Sequence, residues 1–202
     1  MKPTVVLVLL LTALITTAHG ATPGDAALRS NHPQQAAELY RRGAGQGDAL
    51  AARKLAFLLE DNPAMSAEFG IIANWFQKGC ELGDQPSCHN VGLGYEYSKF
   101  GLTQNYGQAR VYYQKAADHG YMQSQYNLGT LYSNQYFNDD TEGLKWLLAS
   151  KRSAKTCAAV PLCKWILEDP PGHVANIKAR MTPEAIAAAE SQSLTVQIAP
   201  LQ

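Results

Sequence analysis

The chain of 202 residues carries 17 basic and 17 acidic side chains, a formal charge of zero, with 46% hydrophobic residues. Such a balance excludes the basic surface that phosphate binding needs, so no nucleic acid is expected as a partner, and it gives no electrostatic hold on an anionic membrane. The length suffices for one continuous domain, and no apolar run after residue 20 reaches the roughly 20 residues that cross a bilayer.

The first twenty residues read as an export signal. Lys2 is basic, Val5 to Ile15 is an apolar run of eleven, and Ala18-His19-Gly20 is a small-x-small cleavage site. Eleven apolar residues are too few to span a membrane. A cleaved signal peptide over 1–20 is expected, with a mature chain from Ala21 and a periplasmic or secreted location. Without Lys2, 16 basic residues face 17 acidic ones, a formal charge of −1. Residues 21–32 are expected to be a lead-in.

From residue 33 a short phrase recurs. Leu39-Tyr40-Arg41-Arg42, Trp75-Phe76-Gln77-Lys78, Tyr112-Tyr113-Gln114-Lys115 and Trp146-Leu147 follow one another at steps of 36, 37 and 34 residues. A fixed period of this size marks a repeat array. In the first copy Ala36, Leu39, Tyr40, Gly43 and Ala44 make an apolar stripe; Gly47 stops the helix, and Leu55 and Ala56 lie on the next. The second copy has Ile72, Trp75, Phe76, Gly79 and Cys80, then Gly83, then Val91, Gly92 and Tyr95.

The third copy is the cleanest. Ala109, Tyr112, Tyr113, Ala116 and Ala117 fall at i, i+3, i+4, i+7 and i+8, one face of a helix. Gly120 accepts the positive φ of a C-terminal cap. A second helix follows, with Tyr121, Gln125, Leu128, Gly129 and Tyr132 on one face. Large aromatics meeting small residues would interlock two antiparallel helices. The stripe aromatics Tyr40, Trp75, Tyr95, Tyr112, Tyr113 and Tyr132 are therefore expected in the core.

The fourth copy keeps Gly143, Trp146 and Leu147, whereas Ser150 and Lys151 break the pattern. A polar face suits a capping repeat with no further neighbour. The array is expected over 33–168, followed by a linker and a capping helix over 169–193. Thr182-Pro183-Glu184 opens that helix, which is expected to run through Ala189: Thr as N-cap, Pro at the first helical position, an acid in the first turn. Residues 194–202 are expected to be a flexible tail.

Four cysteines follow the leader: Cys80, Cys88, Cys157 and Cys163. An even number in an exported chain favours disulfides, here between sequence neighbours. Zinc ligands pair across two to four residues, not seven and five, so no metal is expected. No Ser-x-x-Lys, Gly-x-Ser-x-Gly, His-Glu-x-x-His or phosphate-cradling loop occurs, and His32, His89, His119 and His173 are scattered. Asp139-Asp140 precedes a helix, where carboxylates cap free N–H groups. No catalytic residue and no cofactor are therefore expected.

Gly101-Leu102, Asn105-Tyr106, Ala109, Tyr112-Tyr113, Lys115-Ala116-Ala117, Gly120, Asn127-Leu128-Gly129 and Leu131-Tyr132 resemble the Sel-one-like repeat, a relative of the tetratricopeptide repeat. Trp75-Phe76, Lys78, Gly83, Gly92 and Gly94-Tyr95 carry the same resemblance in the second copy. It implies an all-α fold: a right-handed solenoid of stacked antiparallel helix hairpins. The Cys80-x7-Cys88 spacing resembles cysteine-rich exported bacterial members, in which the two thiols join helices of adjacent hairpins. Cys157-x5-Cys163, with Pro161 between, departs from that spacing.

The resemblance further implies a non-catalytic adaptor that binds another protein. Some periplasmic members resemble immunity proteins against injected effectors. Some cysteine-rich members have been tied to penicillin-like ligands; a cell-wall or β-lactam hydrolase would need a nucleophile that this sequence does not show. By analogy with tetratricopeptide arrays, the first helix of each hairpin lines the concave face. Three residues before its small Gly or Ala stand Arg53, His89 and Tyr126; four beyond stand Glu60, Glu96 and Ser133. Tyr97 is one further on, and Leu93 and Thr130 lie between. This mixed row suits a polypeptide partner better than a uniformly charged ligand.

Overall fold

The computed structural model describes residues 22–134 and 136–199; the expected signal peptide and its cleavage site lie outside the described residues. Twelve α-helices and two short 3-10 turns occur among the described residues, and no strand. In chain order they are α1 (Pro23–Arg29), α2 (Pro33–Gly45), α3 (Ala49–Asp61), α4 (Ser66–Phe69), α5 (Ile72–Glu81) and α6 (Gln85–Tyr97). Then come α7 (Tyr106–Asp118), α8 (Met122–Ser133), α9 (Asp140–Ala154), α10 (Pro161–Glu168), α11 (His173–Lys178) and α12 (Pro183–Thr195).

The repeat period is written into the helix ends. Gly47, Gly83 and Gly120 all have φ near +90° (92°, 91° and 83°). Each closes its helix with the same two bonds. Its own N–H goes to Ala44, Cys80 or Ala117, at 3.2, 3.0 and 2.9 Å. The next residue's N–H goes to Gly43, Gly79 or Ala116, at 2.9, 3.0 and 3.0 Å. This double closure needs a left-handed residue, which glycine adopts without a Cβ penalty. The following helices start on side-chain caps: Asp48 accepts from the Ala51 N–H at 3.0 Å and Asp84 from the Ser87 N–H at 2.8 Å. Asn105 caps α7 and Asp139 caps α9, each at 3.0 Å. These bonds satisfy donors that a helix start leaves open.

Successive helices pack on one another along the chain: α2 on α3, α3 on α5, α5 on α6, α6 on α7, α7 on α8 and α8 on α9. The apolar clusters cross hairpin boundaries. Ala36, Tyr40, Leu55 and Leu59 pack with Ile72 and Trp75 of the next repeat. Ala56, Phe76 and Val91 pack with Tyr95, Phe100 and Tyr112. Ala109, Tyr113, Leu128 and Leu131 pack with Trp146. No single hairpin holds these clusters alone, which is the stacking of a helical solenoid. Two glycines show how close the contacts are. A Cβ on Gly92 would lie 2.5 Å from the Tyr113 ring. One on Gly129 would lie 2.8 Å from the Leu147 nitrogen and 2.9 Å from the Gly143 oxygen.

Both ends of the stack are more structured than the periodicity alone indicates. At the front, Asp25 on α1 accepts from the Thr22 N–H, the Tyr40 hydroxyl and the Lys54 ammonium, each at 2.6 Å. Burial alone would raise its carboxyl, but the bonds from Lys54, Tyr40 and Thr22 hold it down to about 2.

At the rear, the fourth copy is not the polar end of the stack. Ser150 and Ser153 are buried, because α10, α11 and α12 pack over α9. Their hydroxyls donate to the Leu147 carbonyl at 2.8 Å and to Gln125 Oε1 at 3.1 Å. Lys151 stays half-buried beside them. Helix α12 runs past Ala189 to Thr195, and residues 196–199, expected as part of a flexible tail, are docked. The Arg152 guanidinium donates to the Ser193 and Val196 carbonyls, and Gln125 Nε2 donates to the Gln197 carbonyl at 2.7 Å. Buried polar side chains need acceptors, and the extended backbone supplies them.

Both cysteine pairs are bridged: Cys80 with Cys88 and Cys157 with Cys163. The first joins α5 to α6 across a hairpin boundary. The second ties the turn after α9 to α10, so Pro161 at the start of α10 is no obstacle.

Candidate functional site

Helices α3, α6 and α8 recur once per repeat, and polar side chains link them. Arg53 Nε on α3 lies 3.2 Å from Asp84 Oδ2 at the start of α6, but its N–H is not aimed at that oxygen, so the contact is ionic. His89 Nδ1 on α6 lies 2.9 Å from Ser124 Oγ on α8. The His89 ring packs between Tyr113 and Tyr121, with centroids 5.5 and 5.3 Å away. Arg53 and Asp84 act electrostatically on Tyr121, whose phenol burial pushes up. Arg53, Asp84, His89, Tyr121 and Ser124 thus form one cluster at the leading ends of these helices.

A second cluster sits at their trailing ends. The Tyr113 hydroxyl donates to Glu96 Oε2 at 2.6 Å. Burial first, then Glu96, pushes the Tyr113 phenol far up, so it stays protonated. Tyr97 is 55% exposed, and burial of its hydroxyl together with the neighbouring Glu96 carboxylate raises its phenol to about 12.

The other residues of the expected row are placed differently. Tyr126 is only 8% exposed; its ring meets Trp165 edge-on at 5.1 Å and His173 at 5.9 Å. It belongs to the packing of the C-terminal helices, so the row is interrupted there. Its hydroxyl is buried without a hydrogen bond, and burial followed by Asp169 raises the phenol to about 12. Leu93 packs on the cluster of Tyr113, Leu128 and Trp146. The Thr130 and Ser133 hydroxyls turn back on their own helix, to the Asn127 and Thr130 carbonyls. Glu60 is exposed near the end of α3.

Tyr121, Ser124, Tyr106 and Tyr136 join this face although the expected row omits them. Tyr121 is the N-cap of α8 and Ser124 lies in its first turn, five and two residues before Tyr126. Tyr136 lies in the connection before α9, where no periodicity operates.

Burial holds the His89 imidazole down to about 4, against an ordinary 6.5, so the ring is neutral near pH 7. Between these values the unfolded chain binds a proton that the fold refuses. Stability is therefore expected to fall as the pH drops from about 6.5 towards 4, at no more than ~1.4 kcal/mol per pH unit from this group. His89→Gln should flatten that part of the profile, as read from urea midpoints at a series of pH values. Identical profiles for both proteins would contradict the burial of a neutral ring.

A model of the Sel1 repeat matches residues 23–48, 73–84, 85–121 and 123–152. No match is found among curated proteins. Among solved structures, a protective antigen present in uropathogenic Escherichia coli strains, displaying an SLR fold, is similar with a TM-score of 0.61 at 21% identity. The similarity covers 79% of this chain and 32% of that one, so the chain spans about a third of the antigen's length. A Sel1 repeat protein from Oxalobacter formigenes is similar with a TM-score of 0.60 at 17% identity, over 86% of this chain and 71% of that one. At such identities the likeness concerns the fold alone.

Proposed function

Because the chain belongs to the Sel1 repeat family, whose members typically mediate protein–protein interaction, we propose that it is an exported, non-catalytic module holding a protein partner on the face of α3, α6 and α8. On this proposal that face is the concave side of the array. One observation carries it above the others: polar and aromatic side chains from three successive repeats meet along these helices, from Arg53 and His89 to Glu96 and Tyr97. An extended surface with mixed charge and exposed tyrosine is the kind that interfaces use. The two disulfides suit an oxidising compartment. Among the described residues no helix is long and apolar enough to cross a membrane.

A photoreactive residue placed at Tyr97 tests the proposal in living cells, with the same residue at Val111 on α7 as the control. Tyr97 and Val111 are both exposed, so reactivity alone does not separate them. The expected result is a discrete protein adduct from position 97 and none from position 111. Adducts from 111 alone would move the partner to the other side. The captured protein decides the finer role: an antibacterial effector makes the chain an immunity protein, whereas an envelope component makes it an assembly scaffold.

A further inference from the structure

The trailing end of the face gathers tyrosines around one carboxylate. Glu96, on the last turn of α6, accepts from the Tyr113 hydroxyl at 2.6 Å, and its carboxylate helps to raise the neighbouring Tyr97 phenol. Gln104 bridges from the Glu96 carbonyl, at 2.8 Å, to the Tyr106 hydroxyl, at 2.9 Å. Tyr106 stacks on Tyr136 with centroids 3.9 Å apart and planes 21° off parallel. Tyr97 and Tyr136 are 55% and 53% exposed.

Two features make this more than a packed corner. First, Glu96 takes part in no ion pair among the described residues. Its side-chain donor, the Tyr113 phenol, is neutral, and a carboxylate has about four acceptor positions, so some stay open. The cation of the following repeat, Arg110, is turned instead over the rings of Phe137 and Tyr132, at 5.0 and 6.0 Å. Second, exposed tyrosine faces attract cations through the ring quadrupole, and a stacked pair presents a flat wall. A negative group beside a flat aromatic wall complements a planar cation. Guanidinium fits both parts: it stacks on aromatic faces and forks onto a carboxylate, whereas an ammonium is a compact, strongly hydrated point charge.

We propose that Glu96, Tyr97, Tyr106 and Tyr136 form a receptor for one arginine side chain of the protein partner, an assignment that rests on protein docking at this face. The arginine lies along the Tyr106–Tyr136 wall with its guanidinium turned to the free positions of the Glu96 carboxylate. This would set the register of the partner on the array, since Glu96 has no equivalent of the same surroundings on α3 or α8, where Glu60 and Ser133 stand.

The test uses the whole chain and needs no partner. Backbone amide NMR shifts are followed while N-acetylarginine amide is titrated, with N-acetylcitrulline amide as the neutral isostere and N-acetyllysine amide as the unstacked cation. Saturable shifts confined to the end of α6, residues 98–106 and the connection around Tyr136 are expected for arginine. Binding about tenfold weaker or worse is expected for citrulline and for the Glu96→Gln chain, which each lose one charge of the pair, and for lysine, whose compact ammonium loses the planar fork and the stacking. Tyr136→Ala, in an exposed connection, should weaken arginine binding without moving the unfolding midpoint; this separates loss of the wall from loss of the fold. Equal shifts with citrulline, equal binding of lysine, or arginine shifts unchanged by both variants would overturn the proposal. Such a failure with the position-97 adduct still formed would remove the arginine receptor and leave the docking face. Arginine binding without that adduct would do the reverse.

Discussion

Phe76→Ala is expected to destabilise the chain by about 3–5 kcal/mol, the range for removing a buried aromatic ring. Phe76 is fully buried on α5. Its ring meets Phe57 of α3 at 5.2 Å, edge to face, and Phe100 of the connection before α7 at 5.0 Å. Ala56 and Val91 close the same cluster from α3 and α6. One side chain therefore ties three consecutive parts of the stack, and the cavity left by its removal is walled by helices that cannot all collapse at once. In an array held by neighbour contacts, a weakened junction also lowers cooperativity. Urea unfolding followed by circular dichroism should show an earlier and broader transition. A shift under ~1 kcal/mol, with an unchanged slope, would mean that the repeats do not depend on this junction.

Removal of the Cys80–Cys88 bridge in a Cys80→Ala/Cys88→Ala chain is expected to cost about 2–3 kcal/mol in the loop-entropy account. The bridge closes a loop with a sequence separation of 8 between α5 and α6, next to Ala116 of α7. It thus pins the middle of the array, where a lost contact separates two halves. The Cys157–Cys163 bridge closes a similar loop, with a separation of 6, but it holds the C-terminal helices. Loss of the second pair should loosen α10 to α12 while leaving the earlier repeats cooperative. Hydrogen exchange resolved by segment distinguishes the two, and intact mass should rise by two hydrogens for each bridge reduced. Equal exchange patterns for the two double variants would contradict a stack stabilised junction by junction.

The solenoid was legible because its determinants are local and repeated. Gly47, Gly83 and Gly120 end helices by the same two hydrogen bonds, Asp48 and Asp84 begin the next ones, and the stripes around Tyr40, Phe76 and Tyr113 face the following repeat. Every one of these signals lies within a few residues of the structure it specifies. The ends of the stack were less legible because they depend on partners distant in sequence. Gln125 reaches Gln197 across 72 residues, and Asp25 reaches Lys54 across 29. No periodicity announces such contacts.

The same cause shaped the candidate site. Arg53 stands on α3, and His89, Glu96 and Tyr97 on α6, at positions set by the repeat spacing. Tyr126 occupies the equivalent slot on α8, but Trp165 and His173, from helices outside the repeat pattern, cover it. Tyr136 was missed for the opposite reason: it enters the face from a connection and meets Tyr106 by stacking, not by helical spacing.

The stack of helices is proposed to hold another protein against α3, α6 and α8. Hydrogen exchange of the purified chain, alone and with the protein captured at position 97, tests it most directly. Slowed exchange along α3, α6 and α8, with α5 unchanged and α7 unchanged beyond its first turn at Tyr106, is the expected result. Slowed exchange on α5 and α7 with none on the other three helices would contradict it.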